Sequence, residues 1–346
     1  MTVTPVDHDP YVSIARDPER VRILTGDRPT GPLHVGHYFG TLQNRVRLQD
    51  LGVELLVLIA DYQTITDRDA PASLPADVEG QVADYLAVGI DPARSTIFAH
   101  SQVEALHQLM LPFLSLVTVA EVGRNPTVKE ELAAAGGGSM SALLFTYPVH
   151  QAADILSVRA NLVPVGRDQL PHVELTSLIA RRFNDRYCPD GPLFPEPDAL
   201  LSHAPLLLGL DGRKMSKSRG NTLDLGASED ETARRIRAAR TDTGRDITYE
   251  PDRRPEVSNL VLLAALCLDR APEDVAGEVG GGGAAALKRL LTDAVNERLR
   301  PIRARRTELV RDPAYLREVL RDGVERARCL AGDTLTAVRR LMHTSY

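Results

Sequence analysis

Up to residue 210 the chain is punctuated by five short apolar runs: VRILTG (21–26), ELLVLIAD (54–61), STIFAHS (95–101), NLVPVG (161–166) and APLLLGL (204–210). They are apolar along their length rather than alternating, and Gly, Asp or Pro bounds them. That is the pattern of parallel strands buried on both faces. Helical spacing of apolar positions fills the intervals at 33–50, 74–88 and 104–120. The alternation predicts an α/β fold with a Rossmann-like, doubly wound parallel sheet. After Leu225 the strand signal stops. Ser228 and Glu231 have capping-box spacing ahead of TARRIRAAR, and helices are predicted over 258–268 and 284–310, the latter kinked or broken at Pro301. The pattern thus divides into a catalytic-type α/β domain, 1–225, with a helical connecting insertion at about 102–160, and a C-terminal all-helical domain, 226–346, whose last helix is placed to pack back on the first domain. The glycine runs at 136–138 and 280–283 read as mobile loops.

Two segments carry candidate chemistry. TGDRPTGPLHVGHYFG (25–40) spans the end of the first strand, a turn and the start of the first long helix. Gly26 and Gly31 let a ligand approach backbone, and a first turn beginning at Leu33 offers free N–H groups and the positive end of a helix dipole, an anion site. His34 and His37, three apart, project to one side, where imidazoles can donate to phosphate oxygens. The second segment, GRKMSKSRGN (212–221), sets Lys214 and Lys217 among serines and glycines after the last predicted strand. A basic loop there suits a polyphosphate tail, and both segments fall at C-terminal ends of strands, where open α/β sheets bind ligands.

Composition changes this picture little. At 346 residues and 43% hydrophobic content the chain is long enough for more than one core. The longest wholly apolar run, Leu260 to Leu268, is too short for a membrane span, and MTVTPVDHDP lacks a signal-peptide core, so a soluble, cytoplasmic protein is expected. Cys188, Cys267 and Cys329 are too few and too scattered for a disulfide framework or a zinc site. The net charge of -6 argues against indiscriminate coating of nucleic acid. It is unevenly placed: from Lys288 onward 14 Lys and Arg face 8 Asp and Glu, while residues 1 to 287 hold 27 against 39. The basic end is either a solvated helical face or a surface for a polyanion.

HVGH (34–37) is similar to one signature of class I aminoacyl-tRNA synthetases, and KMSKS (214–218) matches the other without a mismatch. Over nearly the whole chain the sequence resembles the tryptophanyl-tRNA synthetase family, with the tyrosyl family as runner-up. GDRPTGPLHVGHY, LAVGIDP (86–92), TYPVHQAADIL (146–156), VPVGRDQLPHVELT (163–176) and LRPIR (299–303) carry the likeness. The resemblance implies activation of L-tryptophan by ATP with Mg²⁺, then transfer to tRNA(Trp), in a homodimer. It assigns His34, Gly36 and His37 to adenine and α-phosphate, and Lys214, Lys217 and Lys129 to the leaving pyrophosphate. Asp168, beside Gly166, falls to the ribose, Met215 to adenine, and Arg28 and Ser216 line the ATP site. Tyr147 and Gln169 are assigned to the ammonium and carboxylate of tryptophan, Asp154 to the indole N–H, and no metal is assigned to protein ligands. Three departures touch the pocket: Gln63 stands where many bacterial relatives have His, Gln151 where Met commonly lies, and Arg28 where Gln is usual. They resemble the auxiliary form of the enzyme found in some bacteria.

Overall fold

The computed structural model describes residues 10–66, 71–126, 128–129, 140–201 and 207–346, with Ser218 as backbone only. Helix α1 (Pro10–Arg16) precedes strand β1 (Arg22–Asp27). The turn after β1 leads into a short helix, Val35–His37, a π-turn at Tyr38–Leu42, and α2 (Gln43–Asp50). Strand β2 (Glu54–Ile59), α3 (Leu74–Val88), β3 (Ser95–Ala99) and α4 (Glu104–Leu114) follow. Then come α5 (Ala142–Ser157), β4 (Leu162–Val165), α6 (Leu170–Tyr187) and β5 (Asp198–Leu201). The rest is helical: α7 (Glu229–Ala238), α8 (Pro255–Leu268), α9 (Pro272–Val279), α10 (Gly283–Leu309) and α11 (Pro313–Leu341).

All five strands are parallel, in the order β3-β2-β1-β4-β5. The order reverses between β1 and β4, which creates a crevice at their C-terminal ends. The unbroken apolar runs are explained by burial on both faces. Ile23, Leu55, Val57, Ile59 and Ile97 face one apolar core, and Leu24, Leu56, Leu58 and Phe98 face the other. The first core continues without a gap into α8 and α10 through Val261, Leu291 and Val295. Helix α11 enters the second through Val324, Ala327, Ala331 and Val338.

Several sequence expectations are corrected. The fifth strand is Asp198–Leu201 and not 204–210: residues 202–206 lie outside the described ones, and Leu208 forms only an isolated antiparallel bridge with Lys214. Helix 104–120 stops at Leu114 and restarts at Val119–Val122, where Thr118 and Glu121 form a full capping box. Ser228 caps α7, but the Glu231 carboxylate binds Arg234 and Arg235 instead of completing its box. Pro301 does not break α10: its neighbours Leu299 and Ile302 are anchored in the core while the proline faces solvent, so packing overrides propensity. Of the glycine runs, 136–138 lies outside the described residues, and Gly280–Gly282 forms a 3₁₀ turn that leads straight into α10. The three cysteines are free thiols. Among the described residues no helix is long and apolar enough to cross a membrane.

Helix α11 reaches β3 at Gly323, where a Cβ would lie 1.8 Å from the Ile97 carbonyl oxygen. The same helix carries Gly332, with nothing within 4 Å of a Cβ built there. Gly323→Ala is therefore expected to destabilise the protein by about 1–3 kcal/mol through forced displacement of α11 from β3. Gly332→Ala should stabilise by about 0.5–1 kcal/mol through helix propensity. Heat or urea midpoints of the two variants check the contrast, and equal midpoints would refute it.

Candidate active site

The turn after β1 is shaped by a buried charge. Arg45 on α2 is 1% exposed and extends Nη1 to Asp27 Oδ2 at 2.5 Å and Nε to Thr25 Oγ1 at 3.1 Å. The Tyr85 hydroxyl donates to the same Asp27 oxygen at 2.8 Å, and Gln81 donates to Tyr85 at 2.7 Å. Burial alone would push the Asp27 carboxyl up; the Arg45 guanidinium, helped by His37 and Tyr85, holds it down at about 2. A polar arginine in the interior of an amphipathic helix pattern was the signal for this knot, and the sequence reading passed over it.

HVGH forms a cap closed on itself. His34 Nδ1 accepts from the Gly36 amide and His37 Nδ1 accepts from the His34 amide, both at 3.2 Å. The two rings lie 3.8 Å apart. With each Nδ1 an acceptor, each ring carries its proton on Nε2 and has that N–H to offer. Burial, with the charges of His37 and Lys217 opposing protonation, lowers His34 to about 3; burial likewise lowers His37 to about 4, although Asp27 favours its charged form. The expectation of free first-turn amides is not met. Leu33 N–H goes to Asp84 Oδ2 at 3.0 Å, Val35 N–H to the Leu223 carbonyl at 2.9 Å and His37 N–H to the His34 carbonyl at 2.9 Å. The donors that the HVGH cap itself keeps for an anion are its imidazole N–H groups.

The KMSKS segment is tied to this cap. Leu225 N–H donates to the Leu33 carbonyl at 2.9 Å, so 33–35 and 223–225 pair as two short antiparallel stretches around the His34–Asp224 bridge. Asn221 staples the loop from inside: its Oδ1 accepts from Ser216 N–H at 2.8 Å, and its Nδ2 donates to Asp211 at 2.7 Å and to the Lys214 carbonyl at 3.2 Å. Lys217 Nζ donates to the Gly31 carbonyl at 2.7 Å, and Gly31 adopts φ +109°, which favours glycine. Burial lowers the Lys217 ammonium, against the pull of Asp27, Asp84 and Asp224. A Cβ at Gly36 would come within 2.9 Å of Met215 Sδ and 3.0 Å of the His34 ring, so this glycine makes room for both. Lys214 is exposed, Arg28 and Ser216 are half-buried, and Lys129 is exposed in the connecting segment.

Across the switch point, Gly166 and Asp168 are exposed just beyond β4, with Gln169 next to them. Tyr147, Gln151 and Asp154 share one face of α5 by their spacing. Tyr147 Oη lies 3.4 Å from His172 Nε2, and burial lowers His172 to about 4. Asp154 is 1% exposed; its Oδ1 lies 3.1 Å from His100 Nδ1, and its Oδ2 has no hydrogen-bond partner among the described residues. Gln63 lies on the 3₁₀ turn Tyr62–Ile65 after β2, and the Tyr62 amide donates to His100 Nε2 at 3.0 Å. His107 and His150 complete a histidine cluster, Nδ1 to Nε2 at 3.0 Å. His100, His150 and Asp154 present donor atoms within 4.8 Å of one another, the one such group among the described residues. Of this cluster only Asp154 is legible in the sequence; the three histidines lie on three different elements.

His34, His37 and His172 each hold fewer protons folded than unfolded between pH 6.5 and about 4, so their contribution to stability falls as pH drops through that window. His100, whose pKa is raised by Asp154 against its burial, opposes them. Replacing His34 and His37 together by Asn, which keeps an acceptor at the Nδ1 position, should shrink the stability loss between pH 7 and 5 by on the order of 1–2 kcal/mol per histidine. Urea midpoints at the two pH values measure it; an unchanged difference would refute the assignment.

Known proteins match this arrangement. Residues 16–300 match the model of the family described as tRNA synthetases class I (W and Y). The chain is 43% identical over 334 residues to a tryptophan–tRNA ligase of Treponema pallidum, covering 94% of this chain and 97% of that one. Its identity to a tryptophan–tRNA ligase of Streptococcus agalactiae is 41% over 339 residues, covering 94% and 98%. Among solved structures, the tryptophanyl-tRNA synthetase of Campylobacter jejuni complexed with ADP and tryptophan superposes with a TM-score of 0.80 at 31% identity, covering 93% of this chain and 100% of that one. The paired HVGH and KMSKS segments at the switch point of the sheet and the match over nearly the whole length agree: the chain belongs to the class I tRNA synthetases of the tryptophan and tyrosine family.

Proposed function

We infer that the chain is a tryptophan–tRNA ligase: it activates L-tryptophan with ATP to tryptophanyl-AMP and pyrophosphate, then transfers tryptophan to the terminal ribose of tRNA(Trp). The observation that carries this reading is the backbone pairing that holds the HVGH cap and the KMSKS loop together at the β1/β4 crevice. Attack of the tryptophan carboxylate on the α-phosphorus needs no protein nucleophile. It needs positioning and stabilisation of charge moving onto pyrophosphate.

The donors in the crevice suit that task. The Nε2–H groups of His34 and His37 serve the α-phosphate as neutral donors beside the close approach at Gly36, with Met215 at the adenine. Lys214 and Lys217 meet the β- and γ-phosphates, and Lys129 approaches them from the connecting segment. Lys217 already sits on a carbonyl oxygen, and exchanging that acceptor for a phosphate oxygen strengthens its bond as negative charge develops. These groups are cationic or neutral, so Mg²⁺ fits as a companion held by the nucleotide's own phosphates and not by a carboxylate cage. Asp168, next to Gly166, takes the ribose, and Arg28 and Ser216 flank the nucleotide. Tyr147 and Gln169 take the amino acid's ammonium and carboxylate, Gln63 and Gln151 border the side-chain pocket, and the buried, unpartnered Asp154 oxygen takes the indole N–H. A buried acceptor of this kind rejects side chains without a matching donor.

The basic excess after Lys288 supports assigning the helical part, 226–346, to tRNA, in a cytoplasmic homodimer where one tRNA spans both subunits. Pyrophosphate exchange with each of the twenty amino acids tests the substrate: tryptophan alone should support it, and exchange with tyrosine in preference would overturn the reading. Lys214→Ala and Lys217→Ala should each slow tryptophan-dependent exchange by about 10²–10³-fold. Tryptophan binding should change by less than about threefold in either, because these contacts form in the transition state. Unchanged exchange in both variants would remove the lysines from the mechanism.

A further inference from the structure

His100 has no role in the reading above, yet its ring is the most constrained polar group near Asp154. It is fully buried, it joins three elements, and each of its nitrogens has a neighbour on a different one. Nε2 accepts the Tyr62 amide proton at 3.0 Å, which puts the ring's proton on Nδ1, 3.1 Å from Asp154 Oδ1. If a second proton arrives at Nε2, Asp61 Oδ1 lies 3.4 Å away to receive it. In either protonation state, then, Nδ1–H faces Asp154. The ring is also locked sideways: His150 stands 4.9 Å from it, His107 5.8 Å, and the exposed Tyr62 ring 5.8 Å. His107 and His150 bond to each other, and among the described residues neither has a hydrogen bond to Asp154.

A buried carboxylate has two oxygens to satisfy. Leaving one unpaired in a protein interior is expensive, and a structure that does so either strains or waits for a ligand donor. Here Oδ1 is occupied by His100 and Oδ2 is left without a partner among the described residues. The two facts belong together. A carboxylate free to rotate would turn both oxygens toward whatever donors lie nearest; one pinned at Oδ1 by a ring that cannot itself turn has a fixed plane, and its second oxygen a fixed direction.

We propose that His100 is the positioning residue of the amino-acid site: it holds one oxygen of Asp154 so that the other is aimed at the ring N–H of the substrate. The inference rests on the assignment of Asp154 to that N–H. It makes the selectivity of the pocket a property of the pair, with His100 touching no substrate atom.

The test uses the full-length enzyme and two amino acids, tryptophan and β-(3-benzothienyl)alanine, in which sulfur replaces the ring N–H. The readout is the ratio of their kcat/KM values in pyrophosphate exchange. His100→Leu removes the donor, and the ratio should fall at least about tenfold, mainly through a raised KM for tryptophan. His100→Asn puts an amide N–H at the Nδ1 position and should keep the ratio within about threefold of the wild type. A packing role alone would weaken both amino acids equally in His100→Leu, and an unchanged ratio there overturns the proposal. Asp154→Ala separates the two levels: a lost ratio in Asp154→Ala with an unchanged one in His100→Leu defeats His100 alone, whereas a ratio preserved in Asp154→Ala defeats the Asp154 assignment as well. If His100→Leu does not fold, His100→Gln, whose amide lies out at the Nε2 position, takes its place against His100→Asn, and equal ratios in those two overturn the proposal.

Discussion

Two backbone hydrogen bonds, Val35 N–H to Leu223 and Leu225 N–H to Leu33, fix the geometry on which the site depends. They join segments nearly two hundred residues apart in sequence, and no side chain is needed to make them. Because the pairing is between main-chain groups, the KMSKS loop starts its return at a set height above the HVGH cap. Lys217 therefore reaches the Gly31 carbonyl, and Met215 lies against Gly36. Within the loop, Asn221 satisfies backbone at both ends of the turn, and Arg235 reaches the Gly220 and Thr222 carbonyls from α7.

That pairing has a second effect. It takes up the Val35 amide, and with Asp84 on the Leu33 amide and the cap itself on those of His34, Gly36 and His37, no helix-start amide from 33 to 37 is left to lend to an anion. HVGH compensates by turning its own histidines into caps, which leaves Nε2 as the protonated nitrogen of each ring, while burial keeps the rings neutral. On the proposed reading, charge for the phosphates comes from the lysines of the KMSKS loop, while the HVGH cap contributes neutral donors. Both kinds of donor bind more strongly as negative charge builds on the oxygens they face, the ammonium groups through their full charge and the neutral N–H groups through fixed direction.

The parts visible in the sequence and the parts hidden from it divide along physical lines. The apolar runs of β1 to β3 were readable because a strand buried on both faces has no polar face to hide behind, and Leu55 and Leu56 pack into opposite cores as that requires; β4 alternates half-buried and buried positions and was readable from its apolar composition. Strand β5, DALL at 198–201, is four residues long and opens on an Asp, and the more apolar run six residues later displaced it. HVGH and KMSKS were legible as segments, but how they are joined depends on long-range main-chain pairing that leaves no residue-type trace. His100, His107 and His150 escaped for a related reason: no two are spaced as ligands on one helix, and α4, α5 and the turn after β3 bring them together only in the fold.

Asp84 shows how the helical part is fastened to this centre. It is 1% exposed on α3, and its two oxygens serve different masters: Oδ2 accepts the Leu33 amide at 3.0 Å and Oδ1 accepts Arg306 Nε of α10 at 2.5 Å. Gly226 lies beside the guanidinium, where a Cβ would come within 3.0 Å of Nε, so the chain leaves room for the arginine to pass. Burial raises the Asp84 carboxyl, and the Arg306 charge opposes that rise. A buried pair of this sort adds little net stability over an apolar pair of the same size, because desolvation offsets most of the attraction. Its value lies in geometry. An apolar contact would let α10 slide along α3, whereas a carboxylate divided between Arg306 and the Leu33 amide allows one register. Since Leu33 is also one of the two residues paired with 223–225, the C-terminal helices and the KMSKS stem are set against the same residue, the helices through its amide and the stem through its carbonyl.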